Sequence, residues 1–165
     1  MVPVKFPELR RELLFALMPT LVVLGALILI NRLSRQQILF SSLASGAFFI
    51  YLDPRHRMNR IKTLIIAHSA GAVSGFILYS LLGPGYLSGG AAMTATILLM
   101  IAFHRLHPPA VGTSLIFAFR VRAESDAMLF LLALIVIALL VLLELAMERF
   151  LFHFRLSPEK TDKKE

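Results

Sequence analysis

The chemistry that this sequence could perform centres on His107-Pro108-Pro109 and the small residues that follow. Two consecutive prolines cannot continue a helix, because each lacks an N–H and crowds the preceding turn. Pro109 instead suits the first turn of a new helix, whose first N–H groups lack helical partners and lie at the positive end of the dipole. Such a helix start is a natural anion site. The alternative interpretation is a proline-marked loop that binds nothing.

Further polar residues would complete this anion site. Gly112 leaves the backbone of the new helix accessible, and Thr113 and Ser114 place hydroxyl groups one turn into it. An earlier segment, also rich in small residues, offers three more hydroxyls: Ser41, Ser42 and Ser45. We therefore predict one substrate site to which both segments contribute.

His68 is an ionisable residue in an otherwise apolar segment. An intramembrane histidine is a functional candidate by default, and it can change charge near neutral pH. It could move protons or attract an anion, so the predicted substrate site includes it. The alternative is a neutral, hydrogen-bonded core histidine, or one near the interface, about one turn from Lys62 and Thr63.

His104 and His107 are three residues apart, a spacing that places two side chains on one helix face and can bind a metal ion. The prolines break the helix here, however, and no third ligand is near in sequence. The chain has no cysteine, which excludes thiolate ligands and disulfides. The sequence therefore predicts neither a metal site nor a cofactor.

The densest basic patch lies at 53–62 and includes Arg57, Arg60 and Lys62. Together with Arg105, these residues could form an electrostatic vestibule that concentrates anions at the mouth of a pore. The alternative role of the patch is to fix the topology and to contact lipid headgroups. The two roles are compatible.

The rest of the sequence describes the scaffold that must position these residues. Hydrophobic residues make up 58% of the 165, and no Lys, Arg, Asp or Glu occurs between positions 63 and 103. A soluble domain could not hide that much apolar surface, whereas a lipid bilayer covers it. We therefore predict a multi-pass membrane protein. Its net charge of +7 is concentrated in clusters between apolar runs, which argues against nucleic-acid binding.

Six apolar segments are predicted: 13–30, 38–52, 63–82, 91–103, 109–119 and 127–143. The second and fifth are shorter than the roughly 17 residues of a simple span, but protein can surround a short helix at membrane depth. The predicted fold is an all-α, compact bundle of four to six transmembrane helices, one of them broken at the His-Pro-Pro motif. Residues 1–154 form a single transmembrane domain, and 155–165 a charged cytoplasmic tail expected to be disordered.

The distribution of Lys and Arg predicts the orientation. With the N-terminus in the cytoplasm and six crossings, thirteen of the 17 Lys and Arg residues lie inside and four outside. A single kinked crossing at 91–119 would put nine inside, seven outside and Arg105 within the membrane. The positive-inside rule favours six crossings and two cytoplasmic termini, in a plasma (inner) membrane. Six crossings also allow a 3+3 inverted repeat with its short segments in matching positions, as at transport sites; two unrelated short helices are the alternative.

The His107-Pro108-Pro109 motif, followed by Ala110 and the stretch 112–115, resembles the signature of the HPP family of small integral membrane proteins. The likeness extends upstream through the small residues 44–47, the basic loop and His68, and covers roughly 13–147. It departs from the family pattern where Ile66, Ala67 and Val111 stand in place of glycines or small residues.

The resemblance implies a membrane helix bundle that is permeable to an anion, because cyanobacterial and plastid members are associated with nitrite transport. The expected function is a transporter or channel for a small monovalent anion, nitrite first. We expect a homo-oligomer, since so short a chain supplies few pore walls. The alternative is a non-transporting membrane subunit that binds a partner protein. No nucleophile–base pair, phosphate loop or carboxylate pair indicates an enzyme.

Overall fold

The computed structural model describes residues 17, 19–26, 28, 32, 38–120 and 125–155, and all the regular secondary structure in that part of the chain is helical. Five helices have defined bounds: α1 (Ile38–Leu52), α2 (Ile61–Leu82), α3 (Tyr86–Ala102), α4 (Ala110–Ala118) and α5 (Asp126–Arg155). Helical residues between 17 and 32 precede them, and Ala26 there shares a hydrophobic core with α1 and α5.

Among the described helices, two are long and apolar enough to span a membrane: Ile61–Leu82 and Asp126–Arg149, the latter being most of α5. Large apolar side chains also cover the outside of the bundle, and Leu81, Leu98 and Leu134 are each more than half exposed. Such a surface suits lipid better than water. This is the structure expected of a helical membrane protein. The number of crossings, the repeat, and the orientation stay predictions.

α1 has the predicted bounds, whereas α3 begins at Tyr86 rather than at 91. α2 ends at Leu82, and the residue that follows it, Gly83, has a φ of +77°, in the left-handed region that favours glycine. The chain turns there and resumes as helix before Gly89. A Cβ at Gly89 would lie 2.9 Å from a ring carbon of Phe119. This glycine therefore permits close packing, and the prediction that the helix starts after it is wrong.

α5 continues past the predicted end at 143 as far as Arg155. Glu144, Glu148 and Arg149 end the apolar run, but glutamate and arginine are good helix formers, so they do not end the helix. Arg155, predicted as the first residue of the tail, is the last residue of this helix. Residues 1–16 and 156–165 lie outside the described residues, so the prediction of a disordered tail stays untested.

The short helix α4 lies at the centre of the bundle and contacts each of the other four helices. A Cβ on Gly71 of α2 would lie 2.6 Å from the carbonyl oxygen of Ala110, and one on Gly75 would overlap that of Ser114. The sequence predicts that Gly71 and Gly75 form a packing face for a close helix approach. The structure confirms it, with α4 as the partner. At roughly 13 Å long, α4 could not cross a bilayer alone, and burial within protein makes its shortness tolerable.

Two connections fix the C-terminal end of α4 beside the turn between α2 and α3. The N–H of Gly85 donates to the carbonyl of Ala118, at 3.2 Å. Arg120 contacts the Tyr79 hydroxyl and the Asp126 carboxylate, and its guanidinium lies 4.0 Å from the centre of the Tyr79 ring. The N-terminal end of α4, with the His-Pro-Pro motif, therefore points the other way, toward the basic loop between α1 and α2.

Candidate functional site

The predicted helix break is present between α3 and α4. α3 ends at Ala102, residues 103–109 form an irregular connection, and α4 begins at Ala110. His104 has a φ of +53°, a left-handed conformation that helps to turn the chain. Pro109 precedes the first helical residue with a φ of −57°, close to the value that its ring imposes. The prolines therefore start a new helix, as the sequence predicts.

The N–H groups at the start of α4, predicted to bind an anion, already have hydrogen-bond partners. Those of residues 110–112 each donate to the carbonyl oxygen three residues earlier, at 3.0 to 3.1 Å. The tight turn at 107–109 supplies these acceptors, as at many helix ends. In this structure these N–H groups are therefore already used within the turn, and their predicted role in binding an anion stays a prediction. With these N–H groups in use, a ligand at this break has to be bound by side chains.

Four buried polar side chains meet beside the break, and we call them the histidine cluster: Ser42 from α1, His68 from α2, His107 from the connection, and Thr113 from α4. Each is at most 2% exposed. The two histidine rings lie 5.3 Å apart between centroids and are inclined by 50°. Thr113 Oγ1 lies 2.7 Å from His68 Nδ1 and 3.3 Å from Ser42 Oγ, and the Ser42 hydroxyl donates to the Pro109 carbonyl at 2.8 Å.

The acceptor at the end of this chain fixes where the protons lie. The Pro109 carbonyl can only accept, so the Ser42 hydroxyl gives it its proton. The contact between Ser42 and Thr113 then needs the proton of Thr113. Thr113 in turn accepts from the Nδ1–H of His68. The tautomer that satisfies all three bonds therefore leaves a lone pair on His68 Nε2.

His107 has the same tautomer for a simpler reason. Its Nδ1 lies 3.0 Å from the carbonyl oxygen of Met58, which can only accept, so Nδ1 carries the proton and Nε2 carries the lone pair. The backbone N–H of His107 donates to the sulfur of Met100 at 3.5 Å. Met58 thus holds the ring of His107 and Met100 holds its backbone. The sequence alone did not single out either methionine.

The loop 53–60 holds the Met58 carbonyl in place. The side-chain amide of Asn59 is buried and donates to the carbonyls of Phe49 and Asp53, at 2.8 and 2.7 Å, and the Thr63 hydroxyl donates to the carbonyl of Arg57 at 2.9 Å. Sequence reasoning missed Asn59. Its only signal is an uncharged polar residue among arginines just before a helix.

A cavity of about 500 Å³ opens beside this loop, and we call it the basic pocket. The residues that line it are His56, Arg57, Met58, Arg60, Thr63, Ile101, His104, Arg105 and Leu106. The structure thus brings together Arg57, Arg60 and Arg105, three members of the predicted vestibule, while Lys62 is exposed and is not among the lining residues. Met58 is shared: it lines the pocket, and its carbonyl contacts His107.

The structure separates the other predicted hydroxyls from the cluster. Ser41 is exposed, the Ser45 hydroxyl donates to the carbonyl of Ser41 in its own helix, and the Ser114 hydroxyl donates to the carbonyl of Val111 at 2.8 Å. Intrahelical bonds of this kind use up the hydroxyl proton. These three serines are therefore not where the predicted site needs them.

Two other predicted residues contribute only through their backbone or size. Pro108 is exposed, whereas Pro109 supplies the carbonyl that ends the hydrogen-bonded chain. A Cβ on Gly112 would lie 3.1 Å from that of Ser42. The missing side chain of Gly112 thus lets α1 approach α4 closely enough for Ser42 to reach Thr113.

Comparison with known proteins gives one match. The family model described as HPP, transmembrane region, matches residues 7–154. No curated protein and no solved structure matches the chain. The matched range contains the whole histidine cluster and the whole basic pocket.

Proposed function

The chain belongs to the HPP transmembrane family, and on that premise we propose that it carries a small monovalent anion, nitrite first, across a membrane. The observation that supports this most is the histidine cluster. Polar and ionisable side chains are expensive to bury in a membrane protein, and they commonly mark a substrate or ion pathway. Here two of them, His68 and His107, are completely buried, and each keeps a ring nitrogen without a partner.

The depth of the cluster also suits transport. His68 is seven residues beyond Ile61, the first residue of α2. At 1.5 Å per residue this places it roughly 10 Å into a helix of about 33 Å. The cluster therefore lies inside the apolar layer if α2 spans it, beside a connection that only surrounding protein can accommodate at that depth.

The basic pocket would gather the substrate. Arg57, Arg60 and Arg105 surround one cavity, so their potentials add and raise the local concentration of anions. From there the anion would pass Met58 to reach His107, and the cluster would replace part of its hydration shell. The cluster is closed to solvent in this structure, so passage requires a rearrangement around the connection 103–109.

A pair of neighbouring substitutions tests this proposal. Purified protein in liposomes should take up nitrite. Thr113→Val should lower the rate about five- to tenfold, because it removes a hydroxyl worth on the order of 1–1.5 kcal/mol from the cluster. Ser114→Ala is the matched control and should keep nearly the full rate, since the Ser114 hydroxyl bonds only within its own helix.

The outcome with the wild-type protein decides between the two candidate functions. If well-folded protein passes neither nitrite, formate, nitrate nor chloride, the transport proposal fails and a partner-binding membrane subunit becomes the better interpretation. Equal loss in both variants would instead show that the cluster has no special role. The predicted homo-oligomer is checked in the same preparation, and an active monomer in lipid would contradict it.

A further inference from the structure

The two histidines of the cluster each keep one free proton acceptor and no free proton donor. Nδ1 of each ring donates, to Thr113 in one case and to the Met58 carbonyl in the other. Nε2 of each ring is buried without a hydrogen-bond partner. His107 Nε2 lies 3.5 Å from the point that a Cβ of Gly46 would occupy, and the Leu140 side chain packs against the same point. The free nitrogen of His107 therefore lies next to Gly46 and the apolar side chain of Leu140.

In the part of the chain that the structure describes, no fixed positive charge lies among these side chains. α1, α3 and α4 contain no Lys, Arg, His, Asp or Glu. On α5, the buried Glu144 lies one turn beyond Leu140. The positive and titratable groups nearest along the chain surround the basic pocket or lie exposed at the start of α2: His56, Arg57, Arg60, His104, Arg105 and Lys62. The cluster itself therefore contains no fixed charge.

Entry of an anion without a counter-charge into the histidine cluster is energetically unfavourable. Moving an isolated ion from water into a buried apolar site is strongly unfavourable unless an opposite charge goes with it. Two imidazole lone pairs would repel an anion further. One proton bound at Nε2 changes this, because the resulting imidazolium offers both a positive charge and an N–H donor. With the rings 5.3 Å apart, a second proton on the pair is opposed by the first.

We infer that the His68–His107 pair takes up one proton together with each anion, so that the substrates are the conjugate bases of weak acids and transport is electroneutral. This deepens the proposed function and rests on it. The O–H bond of the undissociated acid breaks as an N–H bond forms at Nε2, which leaves the anion paired with the imidazolium; a hydronium ion from the bulk supplies the same proton when the anion arrives alone. On release, the N–H bond breaks, the O–H bond of the acid forms again, and the proton leaves with the anion. The net reaction moves one weak acid, and both rings return to their starting state.

The inference excludes anions of strong acids as good substrates. Nitrate and chloride are the anions of strong acids and accept a proton very poorly, so they cannot leave an imidazolium as the undissociated acid. Nitrite and formate share their proton readily with an imidazole. Selectivity would thus follow basicity as well as size.

The test uses liposomes that contain the full chain and a pH-sensitive dye, with protein-free liposomes to subtract the leak of undissociated acid through lipid. Inward gradients of sodium nitrite or sodium formate should acidify the lumen, and sodium nitrate or sodium chloride should not. The initial rate should rise by up to about tenfold per unit decrease in external pH, as one bound proton per anion requires. A membrane potential set with potassium and valinomycin should change it less than about twofold.

Two variants separate proton uptake from packing. His68→Asn and His107→Asn each keep an N–H near the position of Nδ1, to donate to Thr113 or to the Met58 carbonyl, but neither has a basic nitrogen at the position of Nε2. Monodisperse, thermally stable variants should lose proton-linked uptake by at least about tenfold. If either variant does not fold, the wild-type measurements of pH, potential and selectivity still decide.

The failures of the inference and of the proposed function are distinguishable. Nitrite uptake that follows the membrane potential without acidification, or that is matched by nitrate and chloride, would overturn proton coupling and leave anion transport intact. Folded Asn variants with unchanged proton-linked uptake would overturn the role of the pair. Absence of flux for every anion would overturn both.

Discussion

Two buried polar groups on α2 differ in one respect that separates a packing contact from a binding site. The first is the histidine cluster around His68. The second, six residues later, is a pair that we call the hydroxyl clamp, Ser74 of α2 and Thr96 of α3, whose oxygens lie 2.6 Å apart. Both groups join helices, and both are almost fully buried.

The hydroxyl clamp is satisfied and the histidine cluster is not. Ser74 also reaches the carbonyl of Ala70 and Thr96 that of Ala92, each at 2.7 Å, so no polar atom of the clamp lacks a partner. His68 and His107 each keep one free nitrogen. Because a buried unpartnered polar atom costs stability, the cluster is better explained by a ligand or proton than by packing. Burial alone therefore does not distinguish the two groups, whereas unused bonding capacity does.

The largest effect should come from Gly75, which lies next to the clamp and packs on α4. Gly75→Ala places a methyl group against the Ser114 carbonyl, and α4 cannot move away because four helices surround it. We expect a loss of about 1–3 kcal/mol, a lower melting temperature, and loss of nitrite uptake. Gly90→Ala is the control: its Cβ would meet nothing within 4 Å, so it should be neutral or stabilising. Equal melting temperatures would contradict the close approach of α2 and α4.

The second largest effect distinguishes the hydroxyl clamp from the histidine cluster by one substitution in each. Thr96→Val removes one hydroxyl of the clamp but leaves Ser74 its intrahelical acceptor. It should cost about 0.5–1.5 kcal/mol of stability while nitrite uptake stays within about twofold of wild type. Thr113→Val, on the cluster, should cost a similar amount of stability but should also lose most of the nitrite uptake. The comparison breaks down if Thr96→Val loses uptake as fully as Thr113→Val does at similar stability.

The smallest effect concerns the basic pocket. Arg57→Gln with Arg60→Gln should lower nitrite uptake about two- to fivefold at low ionic strength, and by much less near 0.5 M salt, because salt screens long-range attraction. Lys62→Gln, an exposed residue of the same charge that does not line the pocket, is the matched control. A loss that is independent of salt, or equal in the control, would count against a vestibule at this pocket.

Features that depend on local sequence could be predicted. The bounds of α1 coincide with the apolar run 38–52, and the break at His107-Pro108-Pro109 follows from the missing N–H groups of proline. The membrane class follows from composition, and the family from one motif and its surroundings. The predicted bounds of α3 and α5 were wrong because a helix need not coincide with an apolar run. Gly89 lies inside α3, where it permits close packing against Phe119, and Glu144 ends the apolar run of α5 but not the helix.

Features that depend on which faces meet could not be predicted. His68 and Thr113 are 45 residues apart, and Ser42 and Thr113 are 71 apart. No periodicity shows that Ser42 points inward while Ser41 and Ser45 do not, because α1 is apolar on all sides. The sequence by itself determined a membrane helix bundle with a proline break and a basic loop. Only the tertiary structure decided that the N–H groups of α4 are already used and that two ring nitrogens are left free, because glycines at the α2–α4 and α1–α4 contacts bring those side chains together.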